Sequence, residues 1–182
     1  MLPNRNTRCF NRYAIKGVII DLTSNNGGDS NVLLASVSQF LPNGNLLTFK
    51  GKHYSVTLNL SDTKIKTGNY SYQIKNYPKL NVPVSVMESN ITGSSAEILL
   101  LAITTTVKES TFIGRDTGGY VSGREGYKLY GNYYLGLPTE VIQTNDKIVH
   151  KIDSPISSDI QTDAPLATAK EWFSKFTLST NK

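Results

Sequence analysis

Cysteine is nearly missing from this sequence. Cys9 stands alone, so no internal disulfide can form, and neither a disulfide scaffold nor a multi-cysteine zinc site is open to the chain. Histidine is scarce as well. His53 and His150 are too few for an all-histidine metal centre, and the residues imply no metal and no cofactor. Long apolar runs are absent. The longest, Ile98 to Ile103, is about a third of the roughly 20 residues that cross a bilayer. The opening stretch, Met1 to Cys9, is basic but has no apolar core behind it, so it does not read as a signal peptide. An export signal, if the protein works outside the cell, is expected to lie outside this sequence. The net charge is +5, yet Lys and Arg are scattered and no run exceeds two. The ten tyrosines are scattered too, without an RNA-binding motif. A solvated surface accounts for the charge better than nucleic acid does.

What is present describes a folded globular chain. The apolar fraction is 38%, and the mean hydropathy is -0.26. A length of 182 residues suffices for one domain with a core of its own. Residues 1–13 read as a tail or the stub of something longer, and 14–182 as the domain.

Gly17 to Leu22 is a short continuous apolar run, the signature of a buried strand in a parallel sheet. Thr23-Ser-Asn-Asn-Gly-Gly-Asp29 then forces a tight loop. Val32, Leu33, Ala35 and Phe40 follow at helical spacing up to Pro42-Asn-Gly44. Strand, glycine turn and helix open a βαβ unit. Leu46–Phe49 and Tyr54–Leu58 alternate like strands. Asp62–Lys79 is polar, rich in tyrosine and weakly patterned. Residues 45–80 are therefore expected as a β-rich, cap-like insertion partly covering the sheet, with Asp62–Lys79 outside the core.

The buried pattern returns at Val82–Met87. Asn90-Ile-Thr-Gly93 turns the chain, and Ser94–Val107 is the best helix. Thr111–Gly114 is a short strand, and Gly118-Gly-Tyr120 a tight turn. Tyr127–Tyr130 and Tyr133–Leu137 form a hairpin around Gly131-Asn132, and Glu140–Gln143 adds a strand. A last helix starts near Pro165 with Leu166, Ala169, Phe173 and Phe176 on one face.

Two strand–turn–helix units carry the chemistry. Each ends in a helix N-terminus, where backbone N–H groups lack partners and the helix dipole adds positive potential. Such a place suits the oxyanion of an acyl-transfer intermediate. The second unit, Asn90–Glu97, sets Ser94 at the first turn of an apolar helix, and Gly93 permits a strained turn that exposes the hydroxyl. A plainer reading competes. Ser94-Ser-Ala-Glu97 fits the capping box, which stabilises a helix by about 1 kcal/mol and needs no catalysis. The first unit, Asp21–Asp29, is ambiguous alone. No Gly-Lys-Ser/Thr follows its glycines, so it is not a nucleotide loop.

Taken together, the units resemble the tail-specific, or C-terminal processing, serine peptidases. That family carries a strand followed by Asp-Leu-Arg-x-Asn-x-Gly-Gly, then Thr-x-Ser-Ser/Ala-x-Glu. This chain has Ile19-Ile-Asp-Leu-Thr-Ser-Asn-Asn-Gly-Gly28 and Thr92-Gly-Ser-Ser-Ala-Glu97 in that order. Ile113–Tyr120 and Ser154–Gln161 resemble two further segments of the family. The Gly-Tyr turn and the Trp-containing last helix look most like its nisin-resistance branch. The likeness covers roughly residues 14–176.

The resemblance implies an α/β fold with the core of the ClpP/crotonase-like arrangement. It implies Ser94 as nucleophile and the N–H groups of Gly27 and Ser95 as oxyanion donors. Glu97 would hold the turn. Gly28, Thr92, Gly93 and Tyr120 would line the site. The substrate would be a peptide cut near its C-terminus, a lantibiotic such as nisin, with a membrane-anchored parent acting at the outer cell face. Thr23 replaces the family's arginine, and Ser158 a proline. The family's lysine base has no counterpart in Thr117–Tyr120. The nisin-resistance branch uses a histidine upstream of the Asp-Leu loop, so an N-terminal half is expected to supply it, and the chain alone is expected to be weakly active or inactive. His53 and His150 read as loop histidines. The rival reading is a non-catalytic, immunity-like peptide-binding module or a gene fragment without function.

Overall fold

Short apolar runs punctuated by glycine and proline become a parallel sheet in the computed structural model, which describes residues 15–179, with side chains to Ser174. Expectations for residues 1–13 and for the Phe176 side chain lie outside what is described. β1 (Val18–Asp21) leads through the Gly27-Gly28 loop to α1 (Ser30–Ser36), capped by Asp29, whose carboxylate accepts from the Asn31 N–H at 2.8 Å. A single 3-10 turn, Ser38–Phe40, follows. β2 (Gly44–Lys50), β3 (Ser55–Ser61), β4 (Lys64–Thr67) and β5 (Tyr70–Gln73) then form an antiparallel meander. β6 (Val84–Glu88), α2 (Ser95–Thr106) and β7 (Ser110–Gly114) complete the βαβ pattern. β8 (Gly123–Lys128), β9 (Tyr134–Thr144), β10 (Val149–His150), β11 (Ile160–Gln161) and α3 (Pro165–Ser179) close the order.

Two sheets result. One is parallel, in the order β1-β6-β7-β11. The other is antiparallel, in the order β10-β9-β2-β3-β4-β5, with β8 paired to the first half of β9. α2 lies between them. Every residue from Ser95 to Ile103 is buried, which explains why its sequence is apolar on all faces. The parallel strands alternate as their pleat requires. Val84, Val86 and Phe112 face the core shared with α2 and the antiparallel sheet, and Met87 and Ile113 face α3 through Ala169.

The expected insertion is more regular and more central than its sequence suggests. Leu46, Leu47, Leu58 and Ile65 are fully buried and belong to the main core. Ile65 sits inside the stretch expected to stay out of the core. In α3, Ala169 is buried as expected, but Leu166 is 48% exposed, so the apolar face is narrower than drawn.

Candidate active site

All the segments singled out by motif meet at the carboxyl end of the parallel sheet, where open α/β sheets hold their ligands. The loop after β1 is stitched to the loop after β6. Ser89 Oγ donates to Thr23 O at 2.6 Å, Thr92 Oγ1 to Leu22 O at 2.8 Å, Gly93 N to Asn25 O at 3.1 Å, and Ser95 Oγ to Gly28 O at 2.7 Å. The loop after β7 joins them through Gly118 N, which donates to Thr92 O at 2.7 Å. Thr117 in turn holds the Pro155–Asp159 segment, bonding Ile156 through both backbone and side chain.

Glu97 organises this junction. It is fully buried, one turn into α2. Its carboxylate accepts from the N–H groups of Ser94 (2.8 Å), Gly119 (2.9 Å) and Tyr120 (2.8 Å), and from the Thr117 hydroxyl. Four donors replace the water that a buried carboxylate loses. The glutamate arm of the capping box is therefore present, and it spans two loops besides its own helix end.

Ser94 occupies the cap with φ 54° and ψ -120°, outside the regions a non-glycine residue prefers. Such strain costs on the order of 1–3 kcal/mol and persists where the surroundings over-determine it. Here Glu97, Gly93 and Gly27 do so. The strain falls on Ser94 itself; Gly93 contributes by having no side chain, since a Cβ there would lie 3.0 Å from the Tyr120 ring. Gly27 has φ 117°, and a Cβ on it would lie 2.8 Å from Ser94 Cβ.

A cleft of about 990 Å³ opens over Ser94 and Ser95. Ile98, Phe49 and Val56 give it an apolar floor, and Gly28, Asp29, Tyr70, Arg124 and Glu140 are among its rim. Ser94, Ser95 and Gly28 thus line the cleft. Tyr120 does not; its ring covers Gly93 and Gly118 behind the turn, and only its N–H enters the site framework. Thr92 and Gly93 are buried beneath the serine. The Gly27 N–H requires a correction as an oxyanion donor, because it donates to Asn25 Oδ1 at 3.0 Å. The Gly28 N–H has no partner among the described residues. The Asn25 bond is an Asx turn, and its signal was in the sequence, since Asn25 is the asparagine of the Asp-Leu-Arg-x-Asn-x-Gly-Gly motif two residues before Gly27.

Among the described residues no histidine or lysine lines the cleft. His53 is exposed in the β2–β3 turn. His150 sits on β10, half-buried, with its pKa held down by burial against the opposing pull of Asp146. Among the described residues no group of three or more His, Cys, Asp or Glu side chains is placed to hold a metal ion.

A buried acid escaped the sequence reading. Glu88, at the end of β6, is 1% exposed, and neither carboxylate oxygen has a hydrogen-bond partner among the described residues. Burial pushes its pKa up to about 7; the nearby Ser158 opposes this, and the charges of Asp159, Asp116 and Glu97 add to it.

A strained serine at a helix N-terminus, over a cleft at the carboxyl edge of a parallel sheet, defines a class of α/β hydrolytic sites. Within it the assignment is specific: residues 5–162 match the model of peptidase family S41, and the chain belongs to that family. It is 33% identical over 158 residues to the nisin-resistance protein of Lactococcus lactis subsp. lactis, covering 86% of this chain and 49% of that protein. The chain thus spans about half the length of the curated relative it matches. The fold is shared with a lipoprotein from Streptococcus agalactiae (TM-score 0.74, 24% identity, 90% of this chain and 56% of that one). It is shared also with the photosystem II D1 C-terminal processing protease (TM-score 0.59, 20% identity, 82% and 35%).

Proposed function

We propose that this chain carries the nucleophile and oxyanion half of a serine peptidase site of the C-terminal processing type. The observation that supports it is the strained Ser94 in the cleft, with the Gly27-Gly28 loop tied against it. Ser94 Oγ would attack the scissile carbonyl carbon, forming the C–O bond as the carbonyl π electrons move onto oxygen. The Ser95 and Gly28 N–H groups would receive that oxyanion. Collapse would expel the amine and leave an acyl-serine, which water then releases.

The hydroxyl needs a base to take its proton. With no histidine or lysine on the cleft wall, the base would come from another segment of a longer protein or from a partner chain, and the chain alone would be weakly active. The substrate would be a peptide. The Lactococcus relative's name points to a lantibiotic such as nisin as the case to try first. A surface location would match the lipoprotein neighbour. In this reading residues 14–182 form one domain, with residues 45–80 as its insertion.

The missing base also favours a second reading, a module that binds the peptide without cutting it. A fluorophosphonate probe separates the two. The peptidase reading expects phosphonylation at Ser94, slow alone, faster with added imidazole and abolished by Ser94→Ala. Peptide binding with no adduct under either condition would leave only the module.

A further inference from the structure

The proposed function leaves open how a substrate's end is registered in the cleft. Among the described residues Arg124 is the only cationic side chain lining it. It stands where the β8–β9 pairing shifts register, between Gly123 and Arg124. Such irregularities re-aim a side chain and recur beside active sites. Arg124 is exposed and has no ion-pair partner among the described residues. Of the two acids beside it in the ribbon, Glu125 accepts from the Tyr54 and Tyr127 hydroxyls, and Glu140, paired with Gly123, is turned onto Gly123 and toward Tyr54. Arg124 pairs with Pro138 across the ribbon, and Gly136, two residues further along β9, comes near the guanidinium; a Cβ there would be 4.0 Å from Arg124 Nε. An unpaired guanidinium on a cleft wall is a fork for a carboxylate.

We infer that Arg124 binds the C-terminal carboxylate of the peptide and so sets the distance from the chain end to the cut bond. The inference rests on the peptidase reading of the same cleft and adds the group that reads the terminus. The shared chemistry is a carboxylate, and an Asp or Glu side chain could offer it too. Asp29 and Glu140 on the same rim disfavour additional acids, whereas Phe49, Val56 and Ile98 favour an apolar residue beside the terminus.

The test uses the full chain carrying Ser94→Ala and three fluorescein-labelled peptides. One ends in an apolar residue as the free acid, one is its amide, and one is an amide with Glu at the last position. Anisotropy is expected to show the free acid binding about tenfold more tightly than either amide, as one charge-assisted contact allows. Arg124→Gln should remove the difference and Arg124→Lys keep part of it. A purely structural arginine would lower stability without changing the acid-to-amide ratio. The inference is overturned if the ratio survives Arg124→Gln, if the parent binds acid and amide alike or binds neither, or if the Glu amide matches the free acid. Fluorophosphonate labelling of Ser94, with a probe that has no carboxylate, keeps the two proposals apart. Discrimination without labelling would sink the peptidase and keep the carboxylate site; labelling without discrimination would do the reverse.

Discussion

Glu97 joins a helix end, a serine and a neighbouring loop through one carboxylate. Glu97→Gln keeps the shape but loses the charge, and its amide cannot accept from all four donors. Hydrogen bonds to a charged group are worth about 1.5–3 kcal/mol each, and loss of one or two sets the expected destabilisation at roughly 2–4 kcal/mol. Urea denaturation measures it, and Ser94 phosphonylation should slow in parallel if the carboxylate also holds the serine's backbone. Glu88 presents the opposite case, a buried acid without donors. Its folded pKa of about 7 stands above its ordinary 4.5, so the folded protein binds the proton more tightly than the unfolded chain. Its favourable contribution is complete below pH 4.5 and is lost as pH rises to about 7. A shift of this size corresponds to about 3 kcal/mol. Denaturation at pH 5 and pH 8 should show that loss in the native protein, and Glu88→Gln should remove most of it. An unchanged pH profile in Glu88→Gln would mean that another group is responsible. Neither role could be weighed from sequence alone. Glu97 was legible as a turn-holding residue because its spacing from Ser94 is a capping signature. An acid after an apolar strand looks like a solvated residue, so Glu88 was not.

At the scale of elements, the strand–turn–helix units were the readable part. β1 opens with a continuous apolar run, Val18–Ile20, and β6 and β7 send apolar residues to both sides, because both faces of the parallel sheet are covered. α2 was readable from length and apolarity although it has no polar face. The antiparallel sheet was only partly readable. β5 is an edge strand with every residue exposed, so its sequence carries no burial pattern. β2 pairs with β9, residues about a hundred positions away, for example Thr48 with Gln143, and no local signal announces that pairing. The nucleophile loop and the glycine loop form one device, and Gly27 is its tightest point. Gly27→Ala puts a methyl against Ser94 at a φ that alanine resists, which should cost about 1–3 kcal/mol. Ser94 labelling should fall more than stability does. Equal losses in both would make Gly27 a packing residue only.

For the whole molecule, the chain presents a cleft and a strained serine beside the Gly27-Gly28 loop, but, among the described residues, no histidine or lysine lines the cleft. The motifs made the positions of Ser94 and the glycine loop legible. Which glycine amide is taken up was decided by the Asn25 hydrogen bond, an Asx turn whose Asn-x-Gly spacing stood in the motif but was not read. The central claim is that Ser94 and this loop grip one carbonyl. A crystal structure of the chain with a peptide boronic acid tests it most directly, because boron forms a tetrahedral adduct that mimics the intermediate. The account predicts boron bonded to Ser94 Oγ, with one boronate oxygen within hydrogen-bond reach of the Ser95 and Gly28 amides. An unmodified Ser94 at saturating inhibitor, or a boronate oxygen facing away from both amides, would contradict it.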